Sequence, residues 1–179
     1  MQALVIYESM FGNTHLIAKA IGAGLAETHE VSVQAIHDVD RAAIEEADLV
    51  VVGGPTHVHG MSRPSTRKGA VDVAAKSNGD VELEPDAERP GLREWFATLE
   101  PVDAKPAAAF DTRIDAAPAL TGRASKSINR KLRRHGFKEV VEPESFLVTK
   151  QNHLKPDELT RAKQWGQQLA RATVTTAVR

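Results

Sequence analysis

Two short runs in this chain are apolar at every position: Leu4-Val5-Ile6-Tyr7 and Leu49-Val50-Val51-Val52. A strand with one wet face alternates apolar and polar residues, whereas a strand covered on both faces does not. Burial on both faces requires helices above and below a sheet, and the same helices supply the crossovers that parallel strands need. The remaining pattern agrees. Residues 14–28 carry Leu16, Ile17, Ala20, Ile21, Gly24 and Leu25 at the spacing of one helical face. Val31–Ile36 predicts a second strand, Asp38–Glu46 a short helix and Asp48–Gly53 the third strand. Gly91–Leu99 and Ala124–Leu132 predict helices on either side of a strand at Ala107–Phe110. Val140–Val141 and Phe146–Val148 predict the last strand, interrupted at Glu142-Pro143-Glu144, and Pro156–Ala172 the closing helix. The order β-α-β-α-β-loop-α-β-α-β-α predicts an α/β fold: a five-stranded parallel, doubly wound sheet in a three-layer sandwich.

At 179 residues the chain suits one domain spanning 1–179. Ser62 to Pro90 is polar, charged and rich in Gly and Pro, and predicts a long loop insertion at about 62–91, a lid or a mobile segment. Trp95 and Trp165 fall on apolar helix faces and are expected in the core. The absence of cysteine excludes disulfides, thiolate metal sites and cysteine nucleophiles. A net charge of −1 gives no overall field towards nucleic acid or a membrane surface, and no apolar run approaches a membrane span. With no basic or apolar leader ahead of the first strand, a cytoplasmic protein is expected.

In doubly wound sheets ligands sit at the carboxyl ends of the strands, at the switch point of strand order. Three loops qualify: Glu8–Thr14, Gly53–Ser62 and Asp111–Lys126. The first, Ser9-Met10-Phe11-Gly12-Asn13-Thr14, supplies hydroxyls, an amide and a glycine at the start of a helix. That composition suits a phosphate held by neutral donors and a helix dipole, or a plain capped turn. The second, Gly53-Gly54-Pro55-Thr56-His57-Val58-His59-Gly60, predicts a sharply turned, exposed backbone. In the third, Asp111, Thr112 and Arg113 either meet a ligand or form a local Asp111–Arg113 ion pair.

The first loop resembles the phosphate loop of flavodoxins, Thr/Ser-x-Thr-Gly-x-Thr, through Ser9, Gly12, Asn13 and Thr14; Phe11 departs from it. Gly53, Pro55, Thr56 and Gly60 are similar to the Gly-x-Pro-Thr-x-x-x-Gly ring-binding loop of the wider flavodoxin-like group. The resemblance implies FMN, with its phosphate at residues 9–14 and its ring lined by Pro55, Thr56, His57, Val58, His59 and Gly60, and by Asp111, Thr112 and Arg113. The second and third loops contain no Trp or Tyr, and the whole chain is only 4% aromatic. The stacking partners common in flavodoxins are therefore missing.

A dinucleotide-binding domain is excluded by the lack of Gly-x-Gly-x-x-Gly and of an acid ending the second strand. A P-loop is excluded by the lack of Gly-Lys-Ser/Thr, and a receiver domain by Gly53-Gly54-Pro55 where its phosphoacceptor Asp would stand. The resemblance implies electron transfer through FMN. Its open alternatives are an FMN-dependent reductase of quinone type and a flavin-free binding module of the same fold. The implied partner is a redox protein or a small quinone-like acceptor, with no nucleic acid and no membrane insertion. Reductases of this fold often close the site with a second subunit, so a homodimer is among the assemblies allowed. Arg123, Lys126, Arg130, Lys131, Arg133, Arg134 and Lys138 form a basic run, read as a solvated helix face or a docking face for an acidic partner or a nicotinamide phosphate.

Overall fold

A computed structural model describes residues 1–57, 59–77, 79 and 81–177, with side chains to residue 174. Strands β1 (Gln2–Tyr7), β2 (Glu30–Ala35), β3 (Leu49–His57), β5 (Pro106–Ile114), β6 (Lys138–Glu139) and β7 (Glu144–Val148) pair in parallel, in the order β2-β1-β3-β5-β6. β7 continues the edge beside β5, and the two-residue β4 (Gly60–Met61) folds back antiparallel on β3. The interruption at Glu142-Pro143-Glu144 thus divides the edge into β6 and β7. The order reverses between β1 and β3, and there the first two loops lie side by side.

The apolar runs do what their pattern requires. Val5, Tyr7, Leu49 and Val51 face one side, while Leu4, Ile6, Val50 and Val52 face the other. Helices α1 (Asn13–Leu25) and α7 (Glu158–Ala177) cover the first face. Helices α2 (Arg41–Glu46), α4 (Leu92–Thr98) and α6 (Ala124–Arg134) cover the second, and the one-turn α5 (Pro118–Thr121) precedes α6. On α1 the inward stripe is Ile17, Ala18, Ile21 and Leu25, and Leu16 turns out to solvent. Trp165 lies in the core against Phe110 and Phe146, whereas Trp95 is half-buried at the margin. The α1–α7 contact is close enough to need glycine twice. A Cβ on Gly24 would stand 2.1 Å from the Lys163 carbonyl oxygen, and one on Gly166 would stand 2.3 Å from that of Ile21.

Two expectations are corrected. The segment read as a loop contains a helix, α3 (Pro64–Lys76), with Pro64 in its first turn and the Arg63 N–H donating to Thr66 Oγ1 at 2.8 Å. Its buried residues are Arg67 and Ala70, so it has no apolar stripe to betray it. Strands β3 and β5 also run beyond their apolar cores, to His57 and Ile114. β1 stops opposite Gly53, but β3 and β5 go on pairing through Gly54↔Asp111 and Pro55↔Thr112. Pro55 is tolerated there because β3 has become an edge on the side that β1 has left. No helix of the described residues is long and apolar enough to cross a membrane.

Candidate functional site

The first loop builds an open helix N-terminus. Ser9 Oγ accepts from the Gly12 N–H at 3.1 Å, which folds the turn back on itself. Gly12 takes φ 80, a left-handed conformation that glycine adopts without strain. Helix α1 then starts with no side-chain cap. The N–H groups of its first turn have no intrahelical acceptor, and the helix dipole favours negative charge beside them. Met10 is buried beneath Ala70 and Ala87, and its carbonyl accepts from the Glu84 N–H at 2.7 Å. Asn13 Nδ2 donates to the Asn152 carbonyl at 2.5 Å, tying the turn to the loop after β7. The Thr14 hydroxyl is buried against that of Thr112 at 2.7 Å, so its work is to join the first loop to β5.

Beside this turn lies a cavity of about 120 Å³ walled by all three loops. Ser9, Met10, Phe11, Asn13 and Thr14 contribute from the first, Pro55, Thr56 and His57 from the second, and Thr112 and Arg113 from the third. Ile114, Val148 and Asn152, which the sequence did not single out, complete it. Gly12, His59, Gly60 and Asp111 stand outside the lining, and Val58 falls outside the described residues. His59 is exposed with φ 70, its backbone pressed against Gly122, where a Cβ would come within 2.3 Å of His59 Cα. This contact clamps the second loop to the third.

Two of the expected ligand groups are engaged by the scaffold. Thr56 Oγ1 accepts from the Ala124 N–H at 2.9 Å, and Asp111 Oδ2 from the Ser125 N–H at 2.7 Å, so both cap the start of α6. Burial pushes the Asp111 carboxyl above the usual carboxylate range, opposed by the Ser125 N–H. Arg113 does not pair with Asp111: its Nη1 donates to the Ala116 carbonyl at 2.7 Å and shapes its own loop. In the basic run, Arg123 is tied to Ser145 and to the Pro143 carbonyl, while Lys126, Arg130, Arg133 and Arg134 are exposed on α6.

Behind the second loop lies a cluster that the sequence reading missed. Glu8, at the end of β1, is buried; its Oε1 accepts from the Ser62 hydroxyl and its Oε2 from the Leu92 N–H at 2.8 Å. Burial raises the Glu8 carboxyl above its ordinary value despite these bonds and the nearby Arg67. Arg67, only 4% exposed, donates from Nη1 to Ser62 Oγ at 3.1 Å and pairs with Glu94 Oε2 at 3.3 Å. The one signal available was an arginine in a segment with no other reason to be ordered.

Buried polar atoms without partners are few in folded proteins, and they ask for an explanation. Here they are His57 Nε2, Arg67 Nε, Asp111 Oδ1, Arg113 Nε, Ser125 Oγ and His29 Nε2 among the described residues. All but the last lie in or directly behind the three loops. Of these residues, His57 and Arg113 line the cavity, while Arg67, Asp111 and Ser125 lie outside its lining.

Residues 5–84 match the family model described as flavodoxin. No curated protein matches the chain. Among solved structures, a flavodoxin from the domain Archaea is 23% identical, with a TM-score of 0.64 over 97% of this chain and 99% of that one. Flavodoxin 1 from Bacillus cereus is 23% identical, with a TM-score of 0.63 over 96% and 98%. A flavodoxin, WrbA-like protein from Agrobacterium tumefaciens is 18% identical, with a TM-score of 0.61 over 97% and 98%. The sheet order and these matches define a flavodoxin-like α/β fold. The cofactor that this fold family implies is FMN. The residues present fit it, through an uncapped helix N-terminus for the phosphate and the unpartnered nitrogens of His57 and Arg113 in residues that line the adjoining cavity.

Proposed function

We propose that this chain binds FMN and acts in electron transfer. The observation that carries the reading is the uncapped N-terminus of α1, opening on a cavity walled by the three loops at the β1/β3 switch point. When bound, FMN supplies the redox chemistry, accepting and releasing electrons singly or in pairs. The chain's part is to hold and orient it. Backbone N–H groups over Ser9–Thr14 receive the phosphate, helped by the α1 dipole rather than by a lysine or arginine. Pro55, Thr56, His57, His59 and Gly60, with Asp111, Thr112 and Arg113, form or support the ring side. The partner on this reading is a redox protein or a small quinone-like acceptor, met in the cytoplasm.

The test is a titration of the purified protein with FMN followed by flavin fluorescence. A yellow preparation, or quenching with a dissociation constant in the micromolar range or below, supports the reading. A colourless protein that leaves FMN fluorescence unchanged overturns it and favours a flavin-free binding module. A second reading, an FMN-dependent reductase of quinone type, is favoured by the lack of Trp or Tyr in the cavity lining and by the near-neutral charge. Rapid reoxidation of the photoreduced protein by a benzoquinone supports the reductase; reoxidation only by a redox protein supports the carrier.

A further inference from the structure

Helix α6 has two opposed faces. Ala124, Ser125, Ile128 and Leu132 are buried on one. Lys126, Arg130, Arg133 and Arg134 are exposed on the other; at 3.6 residues per turn they fall within an arc of about 100° and a rise of about 12 Å. No acidic residue stands between Arg123 and Lys138, and none of the four side chains has a hydrogen bond or ion pair among the described residues. A solvated helix face gains from mixed signs, because opposite charges three or four residues apart support the helix and like charges oppose it. Here Lys126 with Arg130, and Arg130 with Arg133 and Arg134, are like pairs at those spacings. The dipole favours Arg133 and Arg134 in the last turn but disfavours Lys126 in the first. Folding of the helix therefore gives no reason for the cations at its site end.

The stripe is joined to the candidate site. The Ala124 and Ser125 N–H groups donate to Thr56 and Asp111, so α6 starts on the second and third loops and Lys126 follows at once. A Cβ on Gly60 would stand 3.9 Å from Ser127 Oγ, which sets the second loop against the same turn. Charge is also segregated over the molecule. With net −1 for the whole chain, the seven cations of 123–138 leave net −8 on the remainder. Asp38, Asp40, Glu45, Glu46 and Asp48, all exposed, lie on and around α2. A basic stripe on an otherwise acidic molecule orients an approaching acidic surface of similar size. A nucleic acid or an anionic membrane extends past the stripe and meets the acidic remainder, and no Phe, Trp or Tyr among the described residues is exposed to stack on a base. We propose that the stripe from Lys126 to Arg134 is the docking face for the redox partner, and that this partner is a protein with a carboxylate-rich surface. The redox character of the partner rests on the electron-transfer reading above; its acidity rests on the stripe.

The test is calorimetric titration of the purified full chain with an acidic plant-type [2Fe–2S] ferredoxin. The wild type is expected to bind at low ionic strength and to weaken about tenfold at physiological ionic strength. Lys126→Gln/Arg130→Gln is expected to weaken binding about tenfold at low ionic strength, and Lys126→Arg/Arg130→Lys to keep it. Lys19→Gln/Lys163→Gln removes the same charge from exposed positions on α1 and α7, across the sheet, and is expected to leave binding within about twofold. The urea midpoint of Lys126→Gln/Arg130→Gln is expected to be no lower than that of the wild type, since a like pair is removed. A lower midpoint would assign the stripe to the fold and overturn the proposal. So would absence of binding, equal losses in the two Gln pairs, or tighter binding of a short DNA duplex or of phosphatidylserine–phosphatidylcholine vesicles. Sedimentation of the chain alone as a dimer that Lys126→Gln/Arg130→Gln abolishes overturns it too, because the stripe then meets a second copy. Association is measured without reference to flavin. Stripe-dependent binding by a protein that takes up no FMN overturns the electron-transfer reading and leaves the acidic partner; FMN uptake with stripe-independent binding does the reverse.

Discussion

The hydroxyls of Thr14 and Thr112, 98 positions apart in sequence, meet at 2.7 Å in the buried floor between the first loop and β5. Their bond joins the start of α1 to the strand carrying the third loop, so the two sides of the cavity are held at one spacing.

Thr14→Val or Thr112→Val leaves the other hydroxyl buried and unpartnered. Each is expected to cost about 1–2 kcal/mol in urea unfolding. The double variant is expected to cost less than the sum, because no orphan hydroxyl remains. Strict additivity in that cycle would show that the two hydroxyls do not interact.

Gly12→Ala tests the cradle itself. At φ 80 an alanine is expected to cost about 1–2 kcal/mol. The added Cβ would stand 3.5 Å from Glu84 Oε1, an ordinary contact, so backbone conformation is the main perturbation. A cradle for phosphate predicts that FMN binding falls several-fold more than riboflavin binding. Equal losses for the two ligands would place the phosphate elsewhere.

At the opposite end of α1, Gly166→Ala sets a methyl group against the Ile21 carbonyl. The helices must move apart, with an expected loss of about 1–3 kcal/mol. Flavin affinity of the folded fraction should be unchanged, since this contact lies on the far side of α1 from the loops. A stable variant would mean that α7 shifts readily on α1.

Glu8 sets a pH dependence. Its carboxyl is raised in the folded state by burial, so between the unfolded and folded values the native protein binds more protons than the unfolded chain. Stability from this group is therefore fully present below the unfolded value and is lost as pH rises through the folded one. Glu8→Gln removes that dependence. The stability of the variant relative to wild type is expected to improve from about pH 4 to pH 7 in urea unfolding. A constant difference across that range would mean that Glu8 titrates normally.

Several features of the molecule were legible in residue order alone. Continuous apolar runs at Leu4–Tyr7 and Leu49–Val52 determined a sheet buried on both faces, because no other fold hides every side chain of such a strand. Ser9–Thr14, following the first run directly, determined a turn at a helix start, because hydroxyl, glycine and helix come in immediate succession there. Helix α3 was not legible, since its inward residues are an arginine and an alanine. Nor could spacing show that Asp111 and Thr56 cap α6, that Arg113 turns to its own loop, or that Arg67 reaches Ser62 and Glu94. Those assignments depend on which donor lies nearest each acceptor after the chain has closed on itself. Local sequence determines strand, turn and helix through backbone and burial preferences; only tertiary packing decides where a buried charge finds its partner.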